Sequence, residues 1–269
     1  MKLIKPSFTI IEQGSGIEGV YKQIEMAGRT CYKSEDKITD TSCEEFVNRM
    51  VNSGHGAMLE HGTVYLTVPG DAEDLDGVYA DFIENPYSKV NDDGYNLYIT
   101  TNYRVLVENN WLYALDYQCE PTEYHEKRIT VKFILPISIS REFIRHRTAS
   151  FAEQSTRYCN YSKSKFGEEV TFITPYWYDN VDSYTKNEFD RGLQYAEGYY
   201  MFMIDKGMKP QEAREILPLC TKTELVMTGF ISDWEHFFKL RCHSTAHPDA
   251  RALAIPLQDK FIELNLIDQ

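Results

Sequence analysis

Apolar and polar residues alternate through the opening KPSFTIIEQ, the period of a strand, and the spacing then changes to helical at Val20, Ile24 and Ala27. A second helix is predicted from Ser42, where Ser42 and Glu45 have capping-box spacing, Phe46, Val47, Met50 and Val51 form an apolar stripe, and Gly54 supplies the stop. TVYLTV, residues 63–68, alternates like a half-buried strand. Residues 69–128 mix strand-like and helical patterns and read as an insertion or subdomain within a single domain spanning 1–269. The strand pattern resumes with ITVKFILP at Ile129, and Pro136 opens a helix expected to carry Arg141 and the stretch beyond it. Ser183 to Lys206 is a long amphipathic helix closed by Gly207, and Pro210 starts a short one that holds Arg214 before Pro218 breaks it. Ser232 and Glu235 predict another capping box for WEHFFKLR, which places His236 and Arg241 on one helix. A last helix from about His247 to Leu266 repeats apolar residues at Ala250, Leu253, Ala254, Leu257, Phe261 and Ile262.

Between the first strand and the first helix lies GSGIEG, Gly14 to Gly19, a literal GxGxxG. Strand, glycine turn and helix are the parts of a dinucleotide-binding fold, but the next requirement is a buried second strand ending in an acid. The chain supplies RTCYKSEDKITD instead, too polar for a central parallel strand. The motif therefore predicts a tight turn, and a Rossmann fold is disfavoured.

Composition narrows the function classes. A chain of 269 residues can bury a large core in one domain or two small ones. Its net charge of −13 argues against nucleic acid, whose phosphates require a broad positive face. No apolar run reaches membrane-spanning length, and MKLIKPSFTIIEQ lacks the apolar core and cleavage site of a signal peptide, so a cytoplasmic protein without membrane attachment is expected. The six cysteines include no CxxC pair, and Cys242, His243 and His247 match no zinc spacing, so free thiols and no metal are expected.

Against that acidic background, Arg145 to Tyr158 reads RHRTASFAEQSTRY. Adjacent like charges repel unless an anion shares them, so the cluster reads as a pocket for a phosphorylated ligand; the alternative is a solvated helix face. If the helix continues, Arg141 and Arg145 lie one turn apart on one face while His146 points elsewhere, and one segment serves two anionic ligands. The loop Glu153 to Arg157 has the backbone donors and small hydroxyls of a phosphate-cradling turn. Ser155 has no partnered base in the sequence and reads as a ligand for phosphate or base, and Cys159, the thiol nearest the motif, is disfavoured as a nucleophile. GHGAMLEHG delivers His55, Glu60 and His61 to a helix end, either as the edge of an active site or as ordinary turn chemistry.

RHRTASFAEQSTRY resembles the RHRxxSxxxxSxR signature of the flavin-dependent thymidylate synthases, matching at Arg145, His146, Arg147, Ser150, Ser155 and Arg157. SGHGAMLEH is similar to that family's GHxxxxEH turn, AREILP to its AR-x-x-LP segment, and KLRCHSTAH to its arginine followed by AH. The four segments occur in family order.

The resemblance implies an α/β (α+β) fold with a mixed sheet and flanking helices, assembled as a homotetramer that holds each FAD between subunits. The implied reaction is reductive methylation of dUMP to dTMP, with 5,10-methylenetetrahydrofolate as carbon donor and NADPH as reductant. By resemblance, Arg241 and His55 are catalytic: Arg241 contacts the uracil and favours its N3-ionised form, and His55 sits near the flavin ring. Glu142, Arg145, Glu153, Gln154, Ser155, Arg157, Arg214 and Arg241 are implied in substrate binding. His55, Ala57, Glu60, Arg145, His146, Arg147, Glu153, Ser232 and His236 are implied in FAD binding. The chain departs from the pattern at Ala57, where some members have threonine, and at Phe230, where some have asparagine. Glu142 stands where a nucleotide-contacting residue is expected, and a carboxylate there bears on which pyrimidine is modified and on the one-carbon outcome. Two other readings stay open: a flavin enzyme that modifies another pyrimidine nucleotide, for instance by hydroxymethylation, and a nucleotide-binding homologue without catalysis.

Overall fold

A computed structural model describes residues 1–164 and 167–268. Strands β1 (Lys2–Ile4) and β2 (Ser7–Ile11) lead into α1 (Gly16–Tyr32), followed by α2 (Ser42–Asn52), the single turn α3 (Gly56–Leu59) and β3 (Thr63–Pro69). The middle of the chain forms α4 (Leu75–Ile83), β4 (Lys89–Asp92), β5 (Asn96–Asn102) and α5 (Tyr103–Asn109). Then come β6 (Arg128–Pro136), α6 (Ile137–Phe143), β7 (Ser150–Glu153), β8 (Thr171–Ile173), α7 (Ser183–Asp205) and α8 (Pro210–Ala213). Strand β9 (Lys222–Phe230) and helices α9 (Ile231–Arg241) and α10 (Pro248–Glu263) complete the chain.

The α/β class is as expected, with the strands divided among three sheets rather than one mixed sheet. The largest is antiparallel throughout, in the order β2-β6-β9-β7; a second has the order β3-β5-β4, and β1 pairs in parallel with β8. Because β2 runs antiparallel to β6, the glycine turn opens no parallel βαβ unit, and a Rossmann fold is excluded.

Alternation along the central strands separates two layers. Val131, Phe133 and Leu135 of β6 and Leu225 and Met227 of β9 pack under Trp234, Phe237 and Phe238 of α9 and the apolar stripe of α10. On the opposite face, Val226 meets Ala27 of α1 and Ala152 of β7. Full burial of such a side chain contributes about 1.5–3 kcal/mol, enough to fix the register of both central strands. Residues 69–128 supply two strands of the β3-β5-β4 sheet, and Val78, Phe82, Leu97, Ile99 and Leu106 share a core with α1 and α2.

Both predicted capping boxes are absent. Ser42 lies inside α2, where its hydroxyl donates to Glu25 and accepts from the Thr39 amide. At α9 it is the Asp233 carboxylate that accepts from the Phe230 amide, while the Ser232 hydroxyl donates to Glu126. In each case a nearby acid outcompetes the local cap for the serine.

Candidate active site

Helix α6 ends at Phe143, so Arg145 does not continue its face, contrary to the helical reading of Arg141 and Arg145. Backbone bonds from the His146 amide to Phe143 and from the Ala149 amide to His146 turn the chain into β7. This turn meets the end of α9 because Phe143 and Phe237 pack edge to face, with ring centres 4.9 Å apart, beneath both helices. Arg241, the last residue of α9, is fixed there by three donors. Its Nε donates to His146 Nε2 at 3.0 Å, Nη1 to Glu142 Oε2 at 3.0 Å and Nη2 to the Glu142 carbonyl at 2.6 Å.

An imidazole that accepts at Nε2 must be neutral there. Burial, reinforced by the charge of Arg241 and by His236, holds His146 down at about 4, so neutrality is its resting state. The His236 ring lies 5.8 Å from it. Burial also lowers Arg241 from its ordinary value, opposed by Glu142 and reinforced by nearby Arg145. Glu142, expected to face substrate, is thus the ion-pair partner of Arg241.

The far end of β7 makes a second patch, a cavity of about 360 Å³ walled by Ser140, Arg141, Glu153, Ser155, Thr156 and Arg214. Arg214 follows α8 directly and donates to Thr156 Oγ1 at 3.0 Å. The expectation of a loop offering free backbone donors needs correction here. The Gln154 amide donates to the Glu224 carbonyl, the Ser155 amide to the Cys31 carbonyl, and the Arg157 amide to Ser155 Oγ. An anion at this corner is therefore met by side chains, chiefly two guanidiniums and a hydroxyl. Gln154 is buried, and its Oε1 accepts from Lys222 at 3.0 Å. Exposed Arg157 reaches Gln211 at 3.1 Å.

A third patch is a cleft of about 770 Å³ whose wall includes Glu60, Asn102, Arg128, Arg147, Ser150 and Phe230. Arg128 is buried at its floor, donating to the Glu60 carbonyl at 3.0 Å and to Ser150 Oγ at 3.3 Å, with its guanidinium 5.4 Å from the Phe230 ring centre. Burial pushes it down to about 10, and its Nε has no partner among the described residues. Arg104 grips the Glu60 carboxylate at 2.5 Å.

The implied site residues therefore fall into three groups: Glu60 with Arg147; Glu142, His146, His236 and Arg241, with Arg145 close by; and Glu153, Gln154, Ser155 and Arg214. His55 is exposed just before α3, Ala57 is exposed on it, and Ser232 is exposed on α9; none of the three is on the wall of the large cleft. In a chain with 41 acidic against 28 basic residues, Arg141, Arg145 and Arg147 have no carboxylate partner among the described residues. Cations left unneutralised amid surplus acid mark an anion-binding surface.

Sequence reasoning missed Arg104, Arg128 and Lys222. Arg128 carried a weak signal as a charge directly before an apolar strand; the others carried none. Elsewhere, His243 bonds Thr245 and His247 accepts from the Asp249 amide, and burial pushes the Cys242 thiol up to about 11.

Residues 121–264, more than half of the chain, match the family model described as thymidylate synthase complementing protein. Curated relatives are named flavin-dependent thymidylate synthase. The one from Geobacter sulfurreducens is 30% identical over 118 residues, 44% of this chain and 49% of that one. The one from Corynebacterium aurimucosum is 23% identical over 242 residues, 86% of this chain and 72% of that one. In several of these alignments the chain spans about half the length of the relative. Among solved structures, a UMP/dUMP methylase PolB from Streptomyces cacaoi bound with 5-Br dUMP aligns at a TM-score of 0.48 and 18% identity, covering 98% of this chain and 93% of that one.

Proposed function

The chain belongs to the thymidylate synthase complementing protein family, and from that premise we propose that it is a flavin-dependent thymidylate synthase, which converts dUMP to dTMP with FAD, 5,10-methylenetetrahydrofolate and NADPH. The observation that carries this reading is the set of arginines without carboxylate partners around β7, joined to an Arg241 held rigidly beside them.

Arg141, Ser155 and Arg214 bind the nucleotide phosphate through side-chain donors, and Gln154 is held in place by Lys222. Arg241 meets the uracil. Its guanidinium stabilises the N3-ionised ring, in which C5 is electron-rich, and does not itself accept a proton. Neutral His146 and Glu142 hold its plane, so little reorganisation accompanies charge development. The large cleft suits FAD: Arg147 and the orphaned Arg128 Nε offer donors to an anionic, oxygen-rich group, and Phe230 offers an apolar face. When bound, the flavin supplies the hydride; the chain supplies orientation and electrostatics.

The implied residues occupy three patches on one chain, which supports a homotetramer whose sites are completed between copies. Tyr184, Tyr195, Tyr199 and Phe202 stand exposed along α7 and are available to such an interface. Among the described residues no helix is long and apolar enough to cross a membrane; a cytoplasmic location accords with the proposed reaction.

The test is an absorbance spectrum of the purified protein with and without dUMP, together with tritium release from dUMP labelled at C5. Flavin bands that shift with dUMP, and release that depends on NADPH and the folate, are expected. A colourless protein that FAD cannot reconstitute would overturn the reading. The Glu142–Arg241 ion pair favours one second reading, a flavin enzyme with altered pyrimidine or one-carbon outcome, and product mass spectrometry finding hydroxymethylated nucleotide would select it.

A further inference from the structure

The glycine motif shapes a second cavity, of about 430 Å³, bounded by β2, the start of α1 and the first residues of β3 and β6. Gly16 has φ +64°, and a Cβ on Gly19 would lie 1.7 Å from the Gly14 carbonyl oxygen, so the loop is folded hard against the first turn of α1. Gly14 and Gly16 line the cavity, and the Ser15 side chain does not cap the helix. Ile11, Ile129, Leu264 and Leu266 give apolar walls.

Two glutamines on this wall are in opposite conditions. The Gln13 amide is committed to β3, donating to the Thr63 carbonyl and accepting from the Thr63 amide, each at 2.8 Å. Gln23 is only 4% exposed, lies between Val20 and Ile24 on the buried stripe of α1, and has no hydrogen-bond partner among the described residues. Its amide atoms are not among those shut off from solvent without a partner, so the amide opens on the cavity, although the helical pattern asks for an apolar residue there. An amide kept at that position is explained by a ligand that pairs with it.

The lining narrows the ligand. The carboxylates of Glu12 and Glu120 offset the charges of Lys127 and Arg128, whose guanidinium donates to the Glu60 carbonyl and Ser150 Oγ. No surplus positive charge remains for a phosphate. A glutamine amide presents a donor and an acceptor side by side, the complement of a ring lactam, and the apolar walls accept the flat faces of such a ring. The volume lies within the range of about 300–1,000 Å³ typical of small-molecule sites.

We propose that this cavity is a second small-molecule site, which shares only Arg128 with the large cleft and takes an uncharged nucleoside through its lactam edge with Gln23 as the reading residue. Calorimetric titration of the full-length chain with inosine, and with purine riboside as a probe of the same shape without the lactam, tests it. Saturable inosine binding at least about tenfold tighter than purine riboside is expected, since a polar site penalises the analogue that leaves it unpaired. Gln23→Leu should bring inosine down to the purine riboside level, and Leu266→Trp, which fills the cavity from a half-buried position, should abolish binding. Arg214→Ala should leave it unchanged. Absence of saturable inosine binding, equal affinity for the two probes, indifference to both cavity variants, or loss in Arg214→Ala would each overturn the proposal.

Discussion

Replacing Glu224 with Gln tests the least local feature of the fold. The Glu224 carboxylate is 5% exposed in the middle of β9 and receives three ammonium groups: Lys33 at 2.5 Å, Lys132 at 2.6 Å, and Lys222. Burial alone would hinder its ionisation, but Lys222 and Lys132 outweigh it and bring the carboxyl from its ordinary 4.5 down to about 2. At ~1.4 kcal/mol per pH unit, that displacement corresponds to ~3 kcal/mol of folding stability. The side chains of Lys222, Lys132 and Lys33 are 14%, 22% and 28% exposed, so once unpaired they regain some water. This holds the loss near the lower end of the about 3–5 kcal/mol range for a broken buried pair. Glu224→Gln should therefore lower Tm by about 6–12 °C at pH 7, at about 2–4 °C per kcal/mol for a chain of this size class. The sign with pH follows from a folded-state value below the unfolded one. The contribution is complete above about pH 4.5 and disappears as the pH falls towards 2, so wild type and variant should converge over that window in calorimetric scans. An unchanged Tm at pH 7, or a difference that persists unaltered to pH 2, would refute the electrostatic reasoning.

Arg241→Lys keeps the charge but cannot make the three-point contact with His146 and Glu142, so turnover should fall by about 10²–10³ with flavin content unchanged; retained turnover rejects its role. Arg214→Ala removes a charged donor from the proposed phosphate corner and should raise KM for dUMP by about 10–100-fold with little change in kcat, measured by steady-state kinetics. Gly19→Ala places a methyl against the Gly14 carbonyl and should lower Tm, whereas Gly77→Ala, in open space on α4, should raise stability by about 0.5–1 kcal/mol in urea titration.

Much of the frame was legible locally. The strand at 63–68, the strand from Ile129, the helix ending at Gly207 and the last helix all follow from periodicity and punctuation, because each has one apolar face and a residue that stops it. Strand β9 was not read, although it is central to the main sheet. Its inward positions include Thr223, Glu224 and Thr228, all buried and polar, which breaks the alternation that marks a strand. Those residues are tolerated only because β6 and α1 bring partners across the sheet: Thr130 bonds Thr228 at 2.8 Å, and lysines distant in sequence meet Glu224. The helical reading of Arg145 failed for a similar reason, since the turn after Phe143 is imposed by the pairing of β7 with β9.

The sequence by itself determined the signature stretch, its arginines and the acidic surplus that leaves them conspicuous, because residue type and spacing are local properties. The tertiary structure alone decided which of those charges are spent and which are free. It set Glu142 against Arg241, used the Gln154 and Ser155 amides elsewhere, and left Arg141, Arg145 and Arg147 without carboxylates among the described residues. The reason is reach: a charge or hydrogen bond acts over a few ångströms of space, and only the packed sheet and helices decide which residues come that close.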